Sequence, residues 1–167
     1  MFLEKEIAEM EETLVQSEYE VERGKPMPSK NHSIIQRRLV VYLDTTYGDR
    51  FEIMPEINLD PPNTRDRVPD IGIFPPQQFV PDEDEIRMTQ TPFGLIEILS
   101  PKQDIAELQT KCAEYFKNGI QSYWLVIPSL RTIYVFESTT DYEVYAKKEI
   151  LKDNKLGIEL PLAEVFK

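Results

Sequence analysis

The sequence predicts a single domain over residues 1–167, of the α/β or α+β class, with a mixed β-sheet flanked by helices. Its length of 167 residues is enough for one domain with a substantial core. Hydrophobic residues make up 41% and charged residues 29%, which is typical of folded globular proteins. Helical patterns come first, short β-type runs follow, and one more helical pattern precedes the last strands, an order that favours a mixed sheet.

Two helices are predicted before any strand. Apolar residues at helical spacing, with acidic residues on the other face, predict an acidic helix at about residues 2–17. A short hairpin or turn follows around Gly24. The second helix is predicted over residues 31–47, with Ser29 or Asn31 as its N-terminal cap and Gly48 at its end. Its expected buried face comprises Ile34, Ile35, Leu39, Val40 and Leu43.

The middle of the chain is predicted to contain strands and loops. Nine of the thirteen prolines lie between Pro55 and Pro101, and no long helical period survives there. The β-type runs predict strands at residues 51–59, 71–74 and 93–99. The polar, acidic stretch 77–91 between two of these runs predicts a surface loop.

The C-terminal part is predicted to hold one helix and several strands. Asp104 is expected to cap a helix that runs to Asn118, with Gly119 directly after it. Three strands are then predicted, at residues 122–127, 132–137 and 142–147. The last apolar segment, residues 156–166, is expected to edge or close the sheet.

The formal net charge of −11 comes from two segments of the chain. Residues 1–22 contain eight Glu and one Lys, and Asp82–Glu85 adds four acidic residues, so the remainder is neutral overall. On total charge alone the chain is a poor candidate for binding nucleic acid, because phosphate contacts need Lys and Arg. The neutral remainder, with local bases such as Lys30, Arg37 and Arg38, does not exclude a polyanionic partner.

Membrane and secreted classes are not expected. No apolar run approaches the roughly 18 residues of a membrane span, and the acidic N-terminus lacks the pattern of a signal peptide. The single cysteine, Cys112, excludes an internal disulfide and is typical of a reducing, cytoplasmic setting.

Glu97 is an unusual residue for its surroundings. It interrupts an apolar run in a strand that otherwise reads as buried on both faces, and burying a carboxylate without a partner costs several kcal/mol. Asp70, at the start of the 71–74 run, is a candidate neighbour. Two adjacent carboxylates repel each other, and a hard divalent cation would relieve that repulsion. Pairing of Glu97 with an arginine such as Arg67 would explain the same pattern without a metal.

Lys111 is the third candidate. The strand extends about 7 Å from Glu97 to its end at Leu99, and the helix extends about 10 Å from Asp104 to Lys111. If the helix runs back along the sheet, Lys111 lies at nearly the same level along the strand as Glu97. Such a lysine either points inward or extends into solvent. It flanks an apolar helix face formed by Ile105, Leu108, Cys112, Tyr115 and Phe116.

Motifs along nearly the whole chain follow one another in a familiar order. They are Tyr19-Glu20 with Gly24-Lys25, Pro28-Ser29 with His32, Arg67 to Ile71, Ile96 to Pro101, then Asp104, Lys111, Tyr115 and Gly119 to Val126. Together they resemble the Uma-type restriction endonuclease family of the PD-(D/E)XK nuclease superfamily.

The resemblance implies a restriction-endonuclease-like core and Mg²⁺-dependent (or Mn²⁺-dependent) hydrolysis of phosphodiester bonds in nucleic acid, DNA by expectation, by a homodimer. It implies Asp70 and Glu97 as metal ligands, with the Ile98 carbonyl as a further oxygen, and Lys111 as the catalytic lysine. The superfamily's usual lysine position, two residues after the glutamate, is occupied here by Leu99, and Lys102 is the rival donor.

Two accessory residues and one competing function stay open. His32 lies one helical turn from Gln36 and either reaches the site or serves as a capping or packing residue. Glu20 is either a further carboxylate of the site or a surface hairpin residue. The competing function is a catalytically inactive interaction module that keeps the nuclease fold, which the acidic charge and the displaced lysine favour.

Overall fold

A six-stranded mixed sheet with a helix on each face is the framework of the structure, a computed structural model that describes residues 27–60 and 67–167. The strands lie in chain order, β1-β2-β3-β4-β5-β6. Strands β3 and β4 are parallel, and every other neighbouring pair in this sheet is antiparallel. The predicted mixed α/β class is confirmed, whereas the predicted helix at 2–17, the hairpin around Gly24 and the candidate Glu20 lie outside the described residues.

The elements closely follow the predicted order. The helices are α1 (Lys30–Tyr47) and α2 (Ile105–Lys117). The strands of the main sheet are β1 (Glu52–Pro55), β2 (Ile71–Phe74), β3 (Gly94–Ile98), β4 (Ser122–Ile127), β5 (Thr132–Phe136) and β6 (Tyr142–Ala146). A second sheet pairs β7 (Ile150–Asp153) with β8 (Ile158–Pro161), and single 3-10 turns lie at Pro128–Leu130 and Leu162–Glu164. Neither helix of the described residues has the length and hydropathy that crossing a membrane requires.

Local capping explains where both helices begin and where α2 ends. The Ser29 side chain accepts the N–H of His32 at 3.3 Å, so Ser29 rather than Asn31 caps α1. Asp104 Oδ1 accepts the N–H of Ala106 at 3.0 Å at the start of α2, as predicted. Gly119 follows α2 with φ of +99°, a left-handed conformation that glycine adopts without steric cost.

Alternation along the strands divides the core between the two faces of the sheet. On β3, Ile96 and Ile98 pack with the buried face of α1, while Leu95 packs with α2 on the other side. The α1 core includes Ile35, Leu39, Leu43, Ile71, Ile73, Trp124 and Val126. The α2 core includes Phe74, Leu108, Cys112, Tyr115, Tyr123 and Leu125. By the same alternation Glu97 belongs to the face that α2 covers.

The expectation that residues 156–166 would edge or close the main sheet is wrong. Strand β8 pairs with β7 in a separate two-stranded sheet, and Leu151, Ile158 and Leu160 of that sheet pack into the α1 core. The physical reason is that this hairpin carries an apolar face, which becomes buried by covering the face of the main sheet rather than by extending its edge. Gly157, with φ of +66°, lies in the turn between β7 and β8.

Candidate functional site

Asp70 and Glu97 lie close to each other at the end of the pairing between β2 and β3. The antiparallel register ends at the pair Ile71–Ile96, and Asp70 and Glu97 are the residues directly beyond that pair. The Asp70 side chain accepts the backbone N–H of Ile98, the residue after Glu97. Both residues are 0% exposed. The structure therefore brings together the two carboxylates that the sequence singled out.

Asp70 is held by contacts from β3 and α1. Its Oδ2 accepts the backbone N–H of Ile98 at 2.7 Å, and its Oδ1 lies 3.0 Å from Nε2 of His32, which is also buried. Gln36 Nε2 donates to the Asp70 carbonyl oxygen at 2.8 Å. The accessory candidate His32 and its neighbour Gln36 thus both reach Asp70.

Glu56 also belongs to this neighbourhood and was missed by the sequence analysis. Its Oε1 accepts from Gln36 Nε2 at 3.1 Å, and its N–H donates to the Asp70 carbonyl at 3.1 Å. Its φ of 52° is left-handed, a conformation that costs a non-glycine residue on the order of 1 kcal/mol or more. No sequence pattern marks this residue, since it only follows the last residue of β1.

The structure places the two candidate lysines differently. Lys111 is half-buried on α2, between Leu108 and Tyr115 on the side of the helix that packs on the sheet. Lys102 is exposed in the loop between β3 and α2. The predicted apolar face of α2 is confirmed at Leu108, Cys112 and Tyr115, but Ile105 is 43% exposed because it lies in the first turn, beyond the covered part of the helix.

Two buried tyrosines, Tyr115 on α2 and Tyr123 on β4, lie near Glu97. Burial raises the pKa of Tyr115 and of Tyr123 well above the usual range, and the charge of Glu97 raises both further. Tyr123 donates to the carbonyl of Leu108 at 3.4 Å, whereas the Tyr115 hydroxyl has no hydrogen-bond partner within residues 27–60 and 67–167. Tyr115 on α2 and Tyr123 on β4 therefore both lie near enough to Glu97 for its charge to affect their pKa values.

Arg67, which the metal-free alternative paired with Glu97, forms an ion pair with Glu114. Its Nη2 and Nε lie 2.6 Å and 2.9 Å from Oε2 of Glu114 on α2. Burial raises the pKa of Tyr115, and the positive charge of Arg67 lowers it by a smaller amount.

The chemistry of the donors fits a hard divalent cation. Carboxylate oxygens are the ligands that Mg²⁺ prefers, and an ionised carboxylate has several lone pairs with which to accept contacts. In the part of the chain that the structure describes, no group of three or more His, Cys, Asp and Glu side chains is arranged around a common metal position. Asp70 and Glu97 would therefore supply two protein ligands, and Mg²⁺ commonly completes its shell with water and substrate phosphate.

Comparison with known proteins gives two positive findings. The chain matches the model of the Uma2 family, described as "Putative restriction endonuclease", over residues 5–166. It is similar to the crystal structure of a protein described as "a putative nuclease belonging to DUF820" from Anabaena variabilis ATCC 29413, with 24% identity and a TM-score of 0.72. That alignment covers 84% of this chain and 83% of the other, and at this identity it shows a shared fold. No curated protein matches the chain.

Proposed function

Because the chain belongs to the Uma2 family of restriction-endonuclease-like proteins, we propose that it is a metal-dependent endonuclease that hydrolyses phosphodiester bonds in DNA. The family match confirms the resemblance read from the motifs and supports a nuclease. The observation that carries the finer proposal is that Asp70 and Glu97, both fully buried, lie directly beyond the last register pair of β2 and β3, with Asp70 bonded to the N–H of the residue after Glu97.

Each residue of the site has a defined part in this proposal. Asp70 and Glu97 would hold Mg²⁺ or Mn²⁺, with the Ile98 carbonyl as a further oxygen. When bound, the cation polarises the phosphate and lowers the pKa of a coordinated water. The Ile98 N–H and His32 orient the Asp70 carboxylate. Lys111, approaching from α2, stabilises the negative charge that develops on the phosphate or orients the attacking water.

The wider assignment follows from the same chemistry. We treat residues 1–167 as one nuclease domain, since the family model spans residues 5–166. Cleavage of both strands of a duplex needs two such sites, and we therefore propose a homodimer. The single cysteine is the reason for assigning the protein to the reducing cytoplasm.

The test of the carboxylate pair is nicking of supercoiled plasmid with Mg²⁺, with Mn²⁺ and with chelator. Asp70→Asn and Glu97→Gln are each expected to lower the nicking rate by about 10²-fold or more, because each removes a charge that the transition state requires. The matched control is Glu107→Gln, an exposed carboxylate on α2 outside the site. Circular dichroism verifies that each variant is folded. Cleavage at the wild-type rate by either site variant would contradict the assignment of Asp70 and Glu97 as metal ligands.

The choice between the two lysines is tested by a second pair of variants. Lys111→Gln is expected to lower kcat by about 10²-fold without changing the affinity for the metal, because the ammonium acts on the reacting phosphate. Lys102→Gln is expected to cleave at nearly the wild-type rate. The opposite result would transfer the role to Lys102.

The competing function, an inactive interaction module with the same fold, is favoured by Leu99 at the position where the superfamily carries its usual lysine. Calorimetry distinguishes the two functions. The endonuclease is expected to bind Mg²⁺ or Mn²⁺, and Asp70→Asn to weaken that binding. A wild-type protein that binds neither ion and cleaves neither plasmid nor single-stranded DNA belongs to the second class.

A further inference from the structure

A cavity of about 560 Å³ lies at the N-terminus of α1, beside the candidate site. It is lined by the first residues of α1, by the loop after β3 and by the turn after β4. Two of these segments adjoin the site directly, because Asn31 precedes His32 and Leu99 lies two residues after Glu97. A ligand in this cavity would therefore be next to a phosphate bound at the carboxylate pair.

The walls of this cavity offer hydrogen-bond donors that have no acceptor among the residues the structure describes. Helix geometry leaves the first N–H groups of α1 without intrahelical acceptors, and Ser29 caps only that of His32. Gln103 Oε1 accepts the N–H of Ser100 at 3.2 Å, which orients the amide, and its Nε2 is buried without an acceptor among residues 27–60 and 67–167. Ser100 is only 4% exposed, and its hydroxyl makes no hydrogen bond to the described residues. An anionic ligand would supply the acceptors that these groups lack.

A second cavity, of about 210 Å³, continues the first along α1. The two share Asn31 and Pro128 in their linings, and we call the joined cavities the basic groove. Lys30 lines the first cavity, and Arg38 and Arg131 line the second. Although the chain carries a net charge of −11, the described residues that line the two cavities include no Asp or Glu. The charged side chains among these described residues are therefore basic.

Arg38 is held in place within this groove. Its Nη1 donates to the carbonyl oxygens of Val165 at 3.0 Å and Lys167 at 2.7 Å. Its buried Nε has no hydrogen-bond partner in the described part of the chain. A guanidinium anchored in this way is already ordered before a ligand arrives, which lowers the entropic cost of binding.

We propose that the basic groove binds the phosphodiester backbone of a nucleic-acid strand, and that the cavity at the N-terminus of α1 takes a phosphate next to the one that is cleaved. The position of the cleaved phosphate rests on the proposed function. Helix N-termini favour phosphate through their N–H groups and the helix dipole, and backbone phosphate contacts supply most non-specific affinity. The groove explains how a chain with a large negative charge engages a polyanion.

The test is binding of a short fluorescent DNA duplex, measured by anisotropy in metal-free buffer over a range of salt concentrations. The double variant Lys30→Gln/Arg131→Gln is expected to raise Kd about tenfold at low salt, and to reduce the slope of log K against log salt by about 2, since each lost phosphate contact contributes about 0.9. The matched control is Lys148→Gln/Lys155→Gln, two exposed lysines outside the groove, which is expected to change Kd by less than about twofold.

A third variant separates the neutral donor from the charges. Ser100→Ala is expected to raise Kd without changing the salt slope, because it removes a hydrogen-bond donor and no charge. Equal losses in the groove variant and the control variant would overturn the proposal, as would a wild-type protein that does not bind the duplex. A mononucleotide that binds as tightly as the duplex would also overturn it, since the groove would then serve a single phosphate and not a strand.

Because binding is measured without metal, the groove and the nuclease function can fail separately. Selective loss of affinity in the groove variant, from a wild-type protein that never cleaves, would support the groove and reject the nuclease. Cleavage by a wild-type protein whose affinity is unaffected by the groove variant would support the nuclease and reject the groove.

Discussion

His32 is a buried histidine that connects α1 to the carboxylate pair. Its Nε2 lies 3.0 Å from Asp70 Oδ1, while its backbone N–H donates to the cap residue Ser29. The sequence left two roles open for this residue, one at the site and one in capping or packing. The structure shows that its backbone takes part in the cap and its ring contacts the site, so the two roles belong to different atoms.

Replacing His32 is expected to destabilise the fold more than replacing its exposed neighbour. His32→Ala removes a buried ring and its contact with the Asp70 carboxylate, and should lower the free energy of unfolding by about 1–3 kcal/mol. Asn31→Ala, one residue earlier and exposed, serves as the matched control and should cost under about 1 kcal/mol. Urea unfolding followed by circular dichroism measures both, and equal losses would show that the His32 ring contributes little.

One buried carboxylate adds polar contacts between the small β7–β8 sheet and the main sheet. Asp153, at the end of β7, accepts the indole N–H of Trp124 at 2.7 Å and also bonds to the hydroxyl of Ser122, both on β4. It further accepts the N–H of Leu156 at 3.0 Å, in the turn that leads to β8. These bonds explain why the hairpin lies against β4 and why a carboxylate is tolerated in a buried position.

Substitution of Asp153 is expected to loosen this attachment. Asp153→Ala leaves the hydroxyl of Ser122 and the indole N–H of Trp124 without their acceptor, and should cost about 3 kcal/mol of unfolding free energy. Asp153→Asn keeps one acceptor oxygen and should cost less. Trp124 is the only tryptophan, so its fluorescence emission reports the change directly. An unshifted emission maximum in Asp153→Ala would contradict this account.

At the scale of the whole molecule, buried titratable side chains of the α2 core make the free energy of unfolding depend on pH in the alkaline range. Burial raises the pKa of Cys112 from 9.0 to about 12, and it raises those of Tyr115 and Tyr123 well above 10.0. Above pH 9 the unfolded chain therefore loses protons that the native state retains. Because the unfolded state then binds fewer protons, the free energy of unfolding decreases as pH rises.

The free energy of unfolding, measured by urea titration, is expected to be insensitive to these groups below pH 9. Above pH 9 it is expected to fall by at most about 1.4 kcal/mol per pH unit for each group, and the urea midpoint falls with it. Cys112→Ala removes the thiol and should delay the onset of the decline to about pH 10, where the tyrosines titrate in the unfolded chain. The comparison uses each protein's own stability at neutral pH as reference. A midpoint that rises between pH 9 and 11 would contradict the burial of these groups.

The distribution of charge along the chain can be related to a binding surface only at the scale of the whole molecule. Residues 1–22 and 82–85 together account for the net charge of −11, and the rest of the chain sums to zero. The sequence alone therefore permitted a polyanionic partner without locating one. Folding brings Arg131 close to Lys30 and Arg38 of α1, and the described residues that line the two cavities include no Asp or Glu.

The sequence by itself determined the two described helices and the main strands and singled out the candidate carboxylates, because these depend on local signals. Caps at Ser29 and Asp104, the glycine at 119 and the apolar runs of β2, β3 and β4 are readable from neighbours along the chain. Glu97 was conspicuous for the same reason, as a charge inside an apolar run.

Only the tertiary structure decided the contacts that join distant segments. The pairing of β2 with β3 brings the Asp70 carboxylate to the N–H of Ile98, next to Glu97. Arg67 pairs with Glu114, and the C-terminal hairpin covers the face of the sheet instead of its edge. Glu56 and the basic groove also became visible only there, since no local pattern marks them. The physical reason is that such contacts depend on how apolar faces are buried and on which polar partner completes each buried group, and both are properties of the packed chain rather than of any segment.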